Sequence, residues 1–124
     1  SVDRPRAQQS LAIQARNLVR VHKEGMTVAL GTDGGLGWSP HAEMEDMVAA
    51  GLTPAQVIVA ATRTAAKILR LDHLGTVEAG KSASFIVLDK NPLDDITNTR
   101  HINSVYLRGT AVDRDTLSTQ WTTP

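Results

Sequence analysis

The sequence contains no cysteine among its 124 residues, which excludes disulfides, thiolate nucleophiles, iron–sulfur clusters and cysteine-based zinc sites. Aromatic residues are scarce, at 3% of the chain, and are too few for a platform that stacks nucleic-acid bases. Thirteen Lys and Arg balance thirteen Asp and Glu, so no basic excess favours binding to nucleic acid or to an anionic membrane. We therefore expect neither a nucleic-acid nor a membrane partner.

Long hydrophobic runs are also missing. No run approaches the roughly 20 residues of a membrane span, and the first residues have no signal-peptide core. The chain begins with Ser1 rather than Met, so a targeting segment could have been lost; without one, we expect a cytoplasmic location. The composition, with 41% hydrophobic residues, is that of a globular domain. A complete (β/α)8 barrel needs about 250 residues, so this chain cannot form one alone.

The N-terminal part carries a helix-then-strand pattern. Apolar residues at helical spacing predict a helix over residues 8–24, and Gly25 is placed to end it. The segment Met26–Leu30 is mostly apolar without alternation, which predicts a short strand buried on both faces. A helix, a glycine and a buried strand together form half of an α/β unit.

Two further helices follow. Ser39-Pro40 offers an N-cap and a proline at the first helical position for a helix over about 40–50. The segment Thr53–Gln56 is a capping box, and it predicts a helix that runs to about Leu69.

The last third of the chain favours strands. Ser84–Leu88 and Ile102–Leu107 are predicted strands. The residues Arg108–Thr110 are expected to form a three-residue hairpin connection to a short strand at Ala111-Val112. Residues 117–124 are rich in Thr and Ser and are predicted to be an irregular tail.

Asp33 comes at the end of the predicted buried strand. Ligands of parallel α/β folds bind beyond the carboxyl ends of the strands, so a carboxylate at this place indicates a functional residue. The alternative is that Asp33 caps the following loop through its own backbone, and the spacing does not decide between the two. Gly34 and Gly35 would let a ligand approach the backbone, which makes them candidate substrate-binding residues, although glycine-rich turns also occur without ligands.

The histidines His22, His41, His73 and His101 form no H-x-H or H-x-x-x-H pair, so no two-histidine metal site is local in the sequence. His41 is a candidate substrate-binding residue, because it follows Asp33 closely and begins a helix that faces the same loop. The alternative is an ordinary residue at a helix N-terminus, with one face in solvent.

One pattern points to a nucleotide and is not supported by its surroundings. Gly75–Ser82 matches the phosphate-loop expression G-x-x-x-x-G-K-[ST], which needs a strand before the loop and a helix after it. Here a helix precedes the loop and a predicted strand follows, and Glu78 would place negative charge against the phosphates. We therefore expect no nucleotide binding.

Seven segments match a known family in order and spacing. They are Val28–Asp33 (VALGTD), Pro40–Glu45 (PHAEME), Ala50–Pro54 (AGLTP), Ala60–Ala66 (AATRTAA), Leu74–Lys81 (LGTVEAGK), Val87–Ile96 (VLDKNPLDDI) and Val105–Arg114 (VYLRGTAVDR). Together they resemble the C-terminal third of the amidohydrolase superfamily, in the branch of the imidazolonepropionase-like and Xaa-Pro dipeptidase-like metal-dependent hydrolases. The resemblance covers about residues 18–114.

The resemblance implies an α/β fold made of the last strand and helices of a (β/α)8 barrel, followed by strands of a small β-sandwich. Residues 1–71 would belong to the barrel, residues 72–116 to the sandwich and residues 117–124 to the tail. The resemblance also implies that Asp33 ligates a divalent metal, zinc being the expected ion, with one or two ions in the complete enzyme. Asp33 would then accept the proton of the attacking water.

This chain departs from the family pattern in several places. The H-x-H pair, the bridging lysine or glutamate and two further histidines belong to earlier barrel strands, which the chain does not contain. Ser84 stands where Asp is usual, and Thr64 stands where Asn is common. One carboxylate cannot hold a catalytic zinc, which normally has at least three protein ligands.

Three hypotheses follow. The first is a segment of a metal-dependent hydrolase that acts on an amide, peptide or ester bond of a small molecule or short peptide, completed by a missing N-terminal barrel portion. The second is a small self-standing hydrolase or esterase that works as a homo-oligomer. The third is a non-catalytic scaffold module derived from the barrel. Exposed strand edges and apolar faces would favour association in each case.

Overall fold

The computed structural model describes residues 4–33, 35 and 37–122, and it contains both helices and strands. In chain order the elements are α1 (Arg4–Lys23), α2 (Ser39–Ala49), α3 (Pro54–Val59), a π-helical turn (Ala60–Thr64), α4 (Ala65–Ile68), β1 (Phe85–Leu88), a 3-10 helix (Ile96–Arg100), β2 (Ile102–Leu107), β3 (Thr110–Ala111) and α5 (Arg114–Thr122). Mixed helix and strand structure is thus confirmed, and the division into three sequence regions stays a prediction.

The helix α1 ends where the glycine predicts. Gly25 has a positive φ of 79°, and the Met26 amide donates to the Val21 carbonyl at 3.2 Å, which is the bond that closes a glycine-terminated helix. Leu18 and Val19 of α1 pack against the core. The chain then turns back toward the other helices.

The predicted strand Met26–Leu30 is not a strand in the structure. Its residues are irregular in the described part, where no strand lies beside them, and a strand exists only through hydrogen bonds to a neighbouring strand. Instead, the Leu30 amide donates to the Ala60 carbonyl of the π-helical turn at 3.2 Å. Val28 and Leu30 are half-buried against the core, so this segment is anchored to the helices.

The helix starts differ in how well the sequence predicts them. At α3 the capping box is present: Thr53 Oγ1 accepts from the Gln56 amide at 3.2 Å, and the Gln56 side chain accepts from the Thr53 amide at 2.8 Å. At α2 the N-cap is Trp38, not Ser39, and no side-chain capping bond is present among the described residues. Pro40 still falls in the first turn, where its missing amide costs nothing.

The helix predicted to run to Leu69 has the expected extent but not a uniform geometry. It begins as α3, widens into the π-helical turn Ala60–Thr64, and resumes as α4. Apolar spacing does not distinguish an α-helix from a helix with one π-turn, so the sequence could not predict this feature.

The strands form a three-stranded antiparallel sheet in the order β1-β2-β3. Phe85 is paired with Tyr106, and their rings stack with centroids 4.8 Å apart. The hairpin connection is a two-residue turn, not the predicted three, because Arg108 (φ 52°) and Gly109 (φ 84°) both take the positive φ of the turn that suits a twisted hairpin.

The last described residues of the chain are helical. Of the predicted tail, residues 117–122 lie within α5, which extends to Thr122, and residues 123 and 124 lie outside the described residues. Asp113 initiates this helix: its carboxylate accepts from the Thr116 amide at 3.0 Å and from the Thr116 hydroxyl at 2.6 Å. Asp113 is therefore the sequence signal that predicts this helix, whereas the Thr- and Ser-rich composition of the segment favoured an irregular tail.

The core lies among the central helices. Its buried residues are Met44, Met47, Leu52, Val57, Ala60 and Ile96. Ile96 comes from the 3-10 helix, so the C-terminal third of the chain contributes to the core of the helical part. The 3-10 helix packs on α2, the helix that also borders the cleft around Asp33.

Candidate functional site

Asp33 lies at the border of an open cleft between the segment 26–33 and α2. Among the described residues, the lining comprises Thr32, Asp33, Trp38, Ser39, Ala42, Glu43 and Asp46, around a volume of about 240 Å³. Four of these residues belong to α2 and lie three or four positions apart, so one face of that helix lies opposite Asp33. They are Ser39, Ala42, Glu43 and Asp46. The structure therefore puts Asp33 where a ligand could reach its carboxylate.

The described lining of the cleft is acidic. It contains three carboxylates, those of Asp33, Glu43 and Asp46, and no Lys or Arg. Trp38 lies at the N-cap of α2 with 58% of its surface exposed. The surface that surrounds Asp33 is thus negatively charged and carries one exposed aromatic ring.

The glycines after Asp33 are only partly described. Gly34 lies outside the described residues, so its predicted substrate-binding role stays a prediction. Gly35 is exposed and has open space where a Cβ would lie, but it is not among the described residues that line the cleft. Its role also stays a prediction.

His41 and Asp33 are not brought together by the structure. His41 does not line the described cleft, and its Nδ1 lies 3.0 Å from the Thr99 hydroxyl of the 3-10 helix. Burial, and then the nearby Arg100 guanidinium, hold the pKa of His41 below its usual value. The substrate-binding role predicted for His41 stays a prediction.

An ion pair that the sequence analysis missed lies beside His41. Arg100 Nε donates to Glu45 Oε1 at 2.6 Å. The hydrogen bond from Arg100 lowers the pKa of Glu45, and the same bond raises the pKa of Arg100. The two residues are 55 positions apart, so the only sequence signal is that Glu45 lies one helical turn after His41, on the same face of α2.

The described residues do not contain a metal site. No group of three or more His, Cys, Asp or Glu among them is arranged to hold an ion. A catalytic zinc normally has three protein ligands, so Asp33 could supply only one of the donors that the resemblance implies. The donor set of the described chain does not fit a complete metal centre.

The segment that matches the phosphate-loop expression has the predicted strand, β1, after it. Lys81 Nζ lies 3.6 Å from Glu78 Oε2 within the same segment. The loop is thus a turn that leads into the sheet, as the sequence predicts.

Comparison with known proteins decides the family. A family model described as the amidohydrolase family matches residues 2–112. The chain belongs to the amidohydrolase family. The resemblance seen in the sequence is therefore confirmed.

Its relatives include imidazolonepropionase from Brevibacillus brevis, which is 33% identical over 111 residues, with 82% of this chain and 26% of the relative covered. A 5-methylthioadenosine/S-adenosylhomocysteine deaminase from Halalkalibacterium halodurans is 36% identical over 86 residues, with 59% of this chain and 19% of the relative covered. The chain thus spans about a quarter or less of the length of these curated relatives.

Solved structures of hydrolases also match this chain. A molinate hydrolase structure matches 87% of this chain and 27% of its own, with a TM-score of 0.78 and 33% identity. A Xaa-Pro dipeptidase structure with bound methionine matches 79% of this chain and 25% of its own, with a TM-score of 0.73 and 31% identity. In the part of this amidohydrolase-family chain that the structure describes, no helix is long and apolar enough to cross a membrane.

Proposed function

We propose that this chain forms part of a hydrolase that cleaves an amide, peptide or related C–N or ester bond, and that Asp33 is its catalytic carboxylate. The observation that carries the proposal is the Asp33 side chain at an open cleft, in a chain of the amidohydrolase family. Among the relatives, the names dipeptidase and hydrolase support the reaction class.

The chemistry assigned to Asp33 is proton transfer. A water that attacks a carbonyl carbon must lose a proton, and a carboxylate within hydrogen-bond reach can accept it. Asp33 is exposed on the cleft, which makes it accessible to both water and substrate. The cleft, at about 240 Å³, is smaller than the roughly 300–1,000 Å³ of ordinary ligand pockets, so the described residues would enclose only part of a small molecule or of a short peptide.

A divalent metal, with zinc as the expected ion, belongs to the proposal for the complete protein. Zinc lowers the pKa of a bound water toward neutrality and so supplies the nucleophile. Within this chain Asp33 would be one ligand, and the described residues do not complete the set. The remaining donors would come from polypeptide outside this chain.

The proposed partner is the rest of the barrel. The relatives are about four times as long as the stretch they share with this chain, and an H-x-H motif roughly 200–350 residues before Asp33 would identify the missing part, a range scaled from barrel size. A second copy of the chain is the alternative partner. A purified chain that is inactive, metal-free and prone to associate would favour the first hypothesis, a segment completed by the rest of the barrel, whereas a stable oligomer with hydrolytic activity would favour the self-standing hydrolase.

The test compares Asp33→Asn with wild type, in this chain and in the longer protein that supplies the remaining donors, on a panel of dipeptides and esters with and without Zn²⁺. Loss of a general base typically lowers the rate by about 10²–10⁴-fold, and we expect that loss here. Asp72→Asn is the matched control, because Asp72 is exposed and lies away from the cleft. Turnover by Asp33→Asn at the wild-type rate would refute the role of Asp33.

A further inference from the structure

The helix α2 presents different faces to three neighbours. Ser39, Glu43 and Asp46 face the Asp33 cleft, while Met44 and Met47 are buried in the core. A third face carries His41 and Glu45, one turn apart, and it lies against the 3-10 helix Ile96–Arg100. Because both faces belong to one helix, a rotation of α2 moves the cleft face and the face that contacts the 3-10 helix together.

Besides the apolar packing of Ile96, two side-chain hydrogen bonds join α2 to the 3-10 helix in the described part of the chain. His41 Nδ1 and the Thr99 hydroxyl share a hydrogen bond of 3.0 Å, and Thr99 is only 5% exposed. A buried hydroxyl without a partner is destabilising, so this pair favours one orientation of the helix. Arg100 Nε adds the second bond, to Glu45 Oε1 at 2.6 Å.

Core packing alone fixes the rotation of α2 poorly. Its buried side chains are methionines, which are flexible and adapt to irregular surroundings. A side-chain end lies about 5–6 Å from a helix axis, so a rotation of about 20° moves it by about 2 Å. A misplacement of about 1 Å can lower an enzymatic rate by about 10²-fold, so the rotation of this helix matters to any reaction in the cleft.

We propose that His41 and Glu45 are positioning residues that fix the rotation of α2 through Thr99 and Arg100, and so hold Glu43 and Asp46 opposite Asp33. His41 acts through the 3-10 helix and does not contact substrate. The C-terminal third of the chain thereby controls the geometry of the cleft. The catalytic consequence rests on the proposed function, whereas the effect on cleft geometry does not.

Trp38 provides a readout that is independent of turnover. It lines the cleft at the start of α2, and its carbonyl accepts from the His41 amide at 3.1 Å. In a Trp121→Phe background the tryptophan emission comes from Trp38 alone, since the sequence has two tryptophans. Emission wavelength and acrylamide quenching then report on the surroundings of Trp38.

The experiment compares His41→Leu, Thr99→Val and His41→Asn in that background. The first two remove the hydrogen bond, and we expect both to change Trp38 quenching and to lower kcat by about tenfold or more, with little change in KM. The third keeps a polar atom near the position of Nδ1, so it should restore both signals. His101→Asn is the control, because His101 is exposed at the end of the 3-10 helix.

The double variant His41→Leu/Thr99→Val should resemble either single variant, since both remove one shared bond. An unfolding midpoint that falls without any change in Trp38 quenching would overturn the proposal and leave a purely structural contact. A large loss of activity in His41→Leu together with wild-type behaviour of Thr99→Val would place His41 on the substrate instead. Quenching that responds as expected in a protein without hydrolytic activity would support the positioning role and refute the proposed function.

Discussion

The helical part and the sheet differ in how they are held together. The buried residues of the described chain lie in the helices, in the π-helical turn, in the loop at Leu52 or in the 3-10 helix. In β1, by contrast, Phe85, Ile86 and Val87 are all exposed, the middle one at 55%. The sheet is held by its backbone bonds and by the Phe85–Tyr106 stack.

The two regions thus differ in how much of their apolar surface the described chain itself buries. The helical part buries enough apolar side chains to define a core. The sheet leaves apolar side chains in solvent on both of its faces, and exposed apolar surface of this kind would favour association. Substitutions of the same type should therefore change the free energy of unfolding by different amounts in the helical part and in the sheet.

The largest effect on stability is expected for Gly75→Ala. Gly75 has a φ of 88°, and an added Cβ would lie 2.6 Å from Ala66 Cβ and 3.1 Å from the Thr62 carbonyl oxygen. Backbone strain and overlap together should cost about 2–4 kcal/mol in urea unfolding. Gly80→Ala is the control, because Gly80 has a similar φ of 86° with open space around it. Equal losses for the two variants would mean that the close approach contributes nothing.

A pair of identical substitutions tests the comparison directly. Val57 is fully buried in the helical core, whereas Val87 in β1 is 39% exposed. Val57→Ala should lower the free energy of unfolding by roughly 2 kcal/mol, and Val87→Ala by about 1 kcal/mol or less. Chemical denaturation of both variants provides the measurement. If Val87→Ala proves the more destabilising, β1 is buried in solution, and the sheet is covered in a stable assembly.

Association through the sheet should depend on its exposed apolar side chains. Ile86→Thr removes an apolar side chain that is 55% exposed, and it should weaken self-association or partner binding several-fold, since burial of such a side chain contributes about 1–3 kcal/mol. Leu93→Thr is the matched control, because Leu93 has nearly the same exposure, 54%, but lies outside the sheet. Size-exclusion chromatography with light scattering gives the readout. A wild-type protein that stays monomeric and binds no partner would contradict the prediction.

The sequence predicted the local features of this fold better than the long-range ones. Gly25 and the Thr53–Gln56 capping box mark helix ends through contacts within a few residues, and the structure confirms both. Met26–Leu30 was predicted wrongly, because its apolar composition is typical of a strand but a strand also needs a neighbour. The π-helical turn escaped prediction because it shares the apolar spacing of an α-helix.

In the candidate site, too, the local feature could be predicted from the sequence and the long-range contacts could not. Asp33 could be selected from its place after an apolar segment, and the structure gives it a cleft. The orientation of the His41 side chain depends on Thr99 and Arg100, which are 58 and 59 positions away in the sequence. Side chains that meet only through tertiary packing leave no periodic signal, so the two polar contacts of α2 could not be predicted from its own sequence.

The smallest expected effect is a pH dependence of the stability, which arises from His41 in the helical part and not from the sheet. Burial and Arg100 hold the pKa of His41 below its usual value, so the unfolded state binds this proton more tightly than the folded state. The corresponding stability is present above about pH 6.5, the usual histidine value, and decreases as the pH falls below it. The carboxyl pKa values of Glu45, Asp95 and Asp113 are also lowered, but their contribution is lost only below about pH 4.5.

Urea unfolding at pH 7.5 and at pH 5.5 therefore isolates His41 from the carboxylates. Wild type should be slightly less stable at the lower pH, and His41→Asn should show a smaller difference, because asparagine keeps a polar partner for Thr99 and does not titrate. With both proteins in the Trp121→Phe background, the change should appear in the emission of Trp38, in the helical part, because His41 and Thr99 join α2 to the 3-10 helix and not to the sheet. An equal pH dependence in wild type and His41→Asn would mean that protonation of His41 is not linked to folding, and the contact with Thr99 would then be indifferent to the charge of the ring.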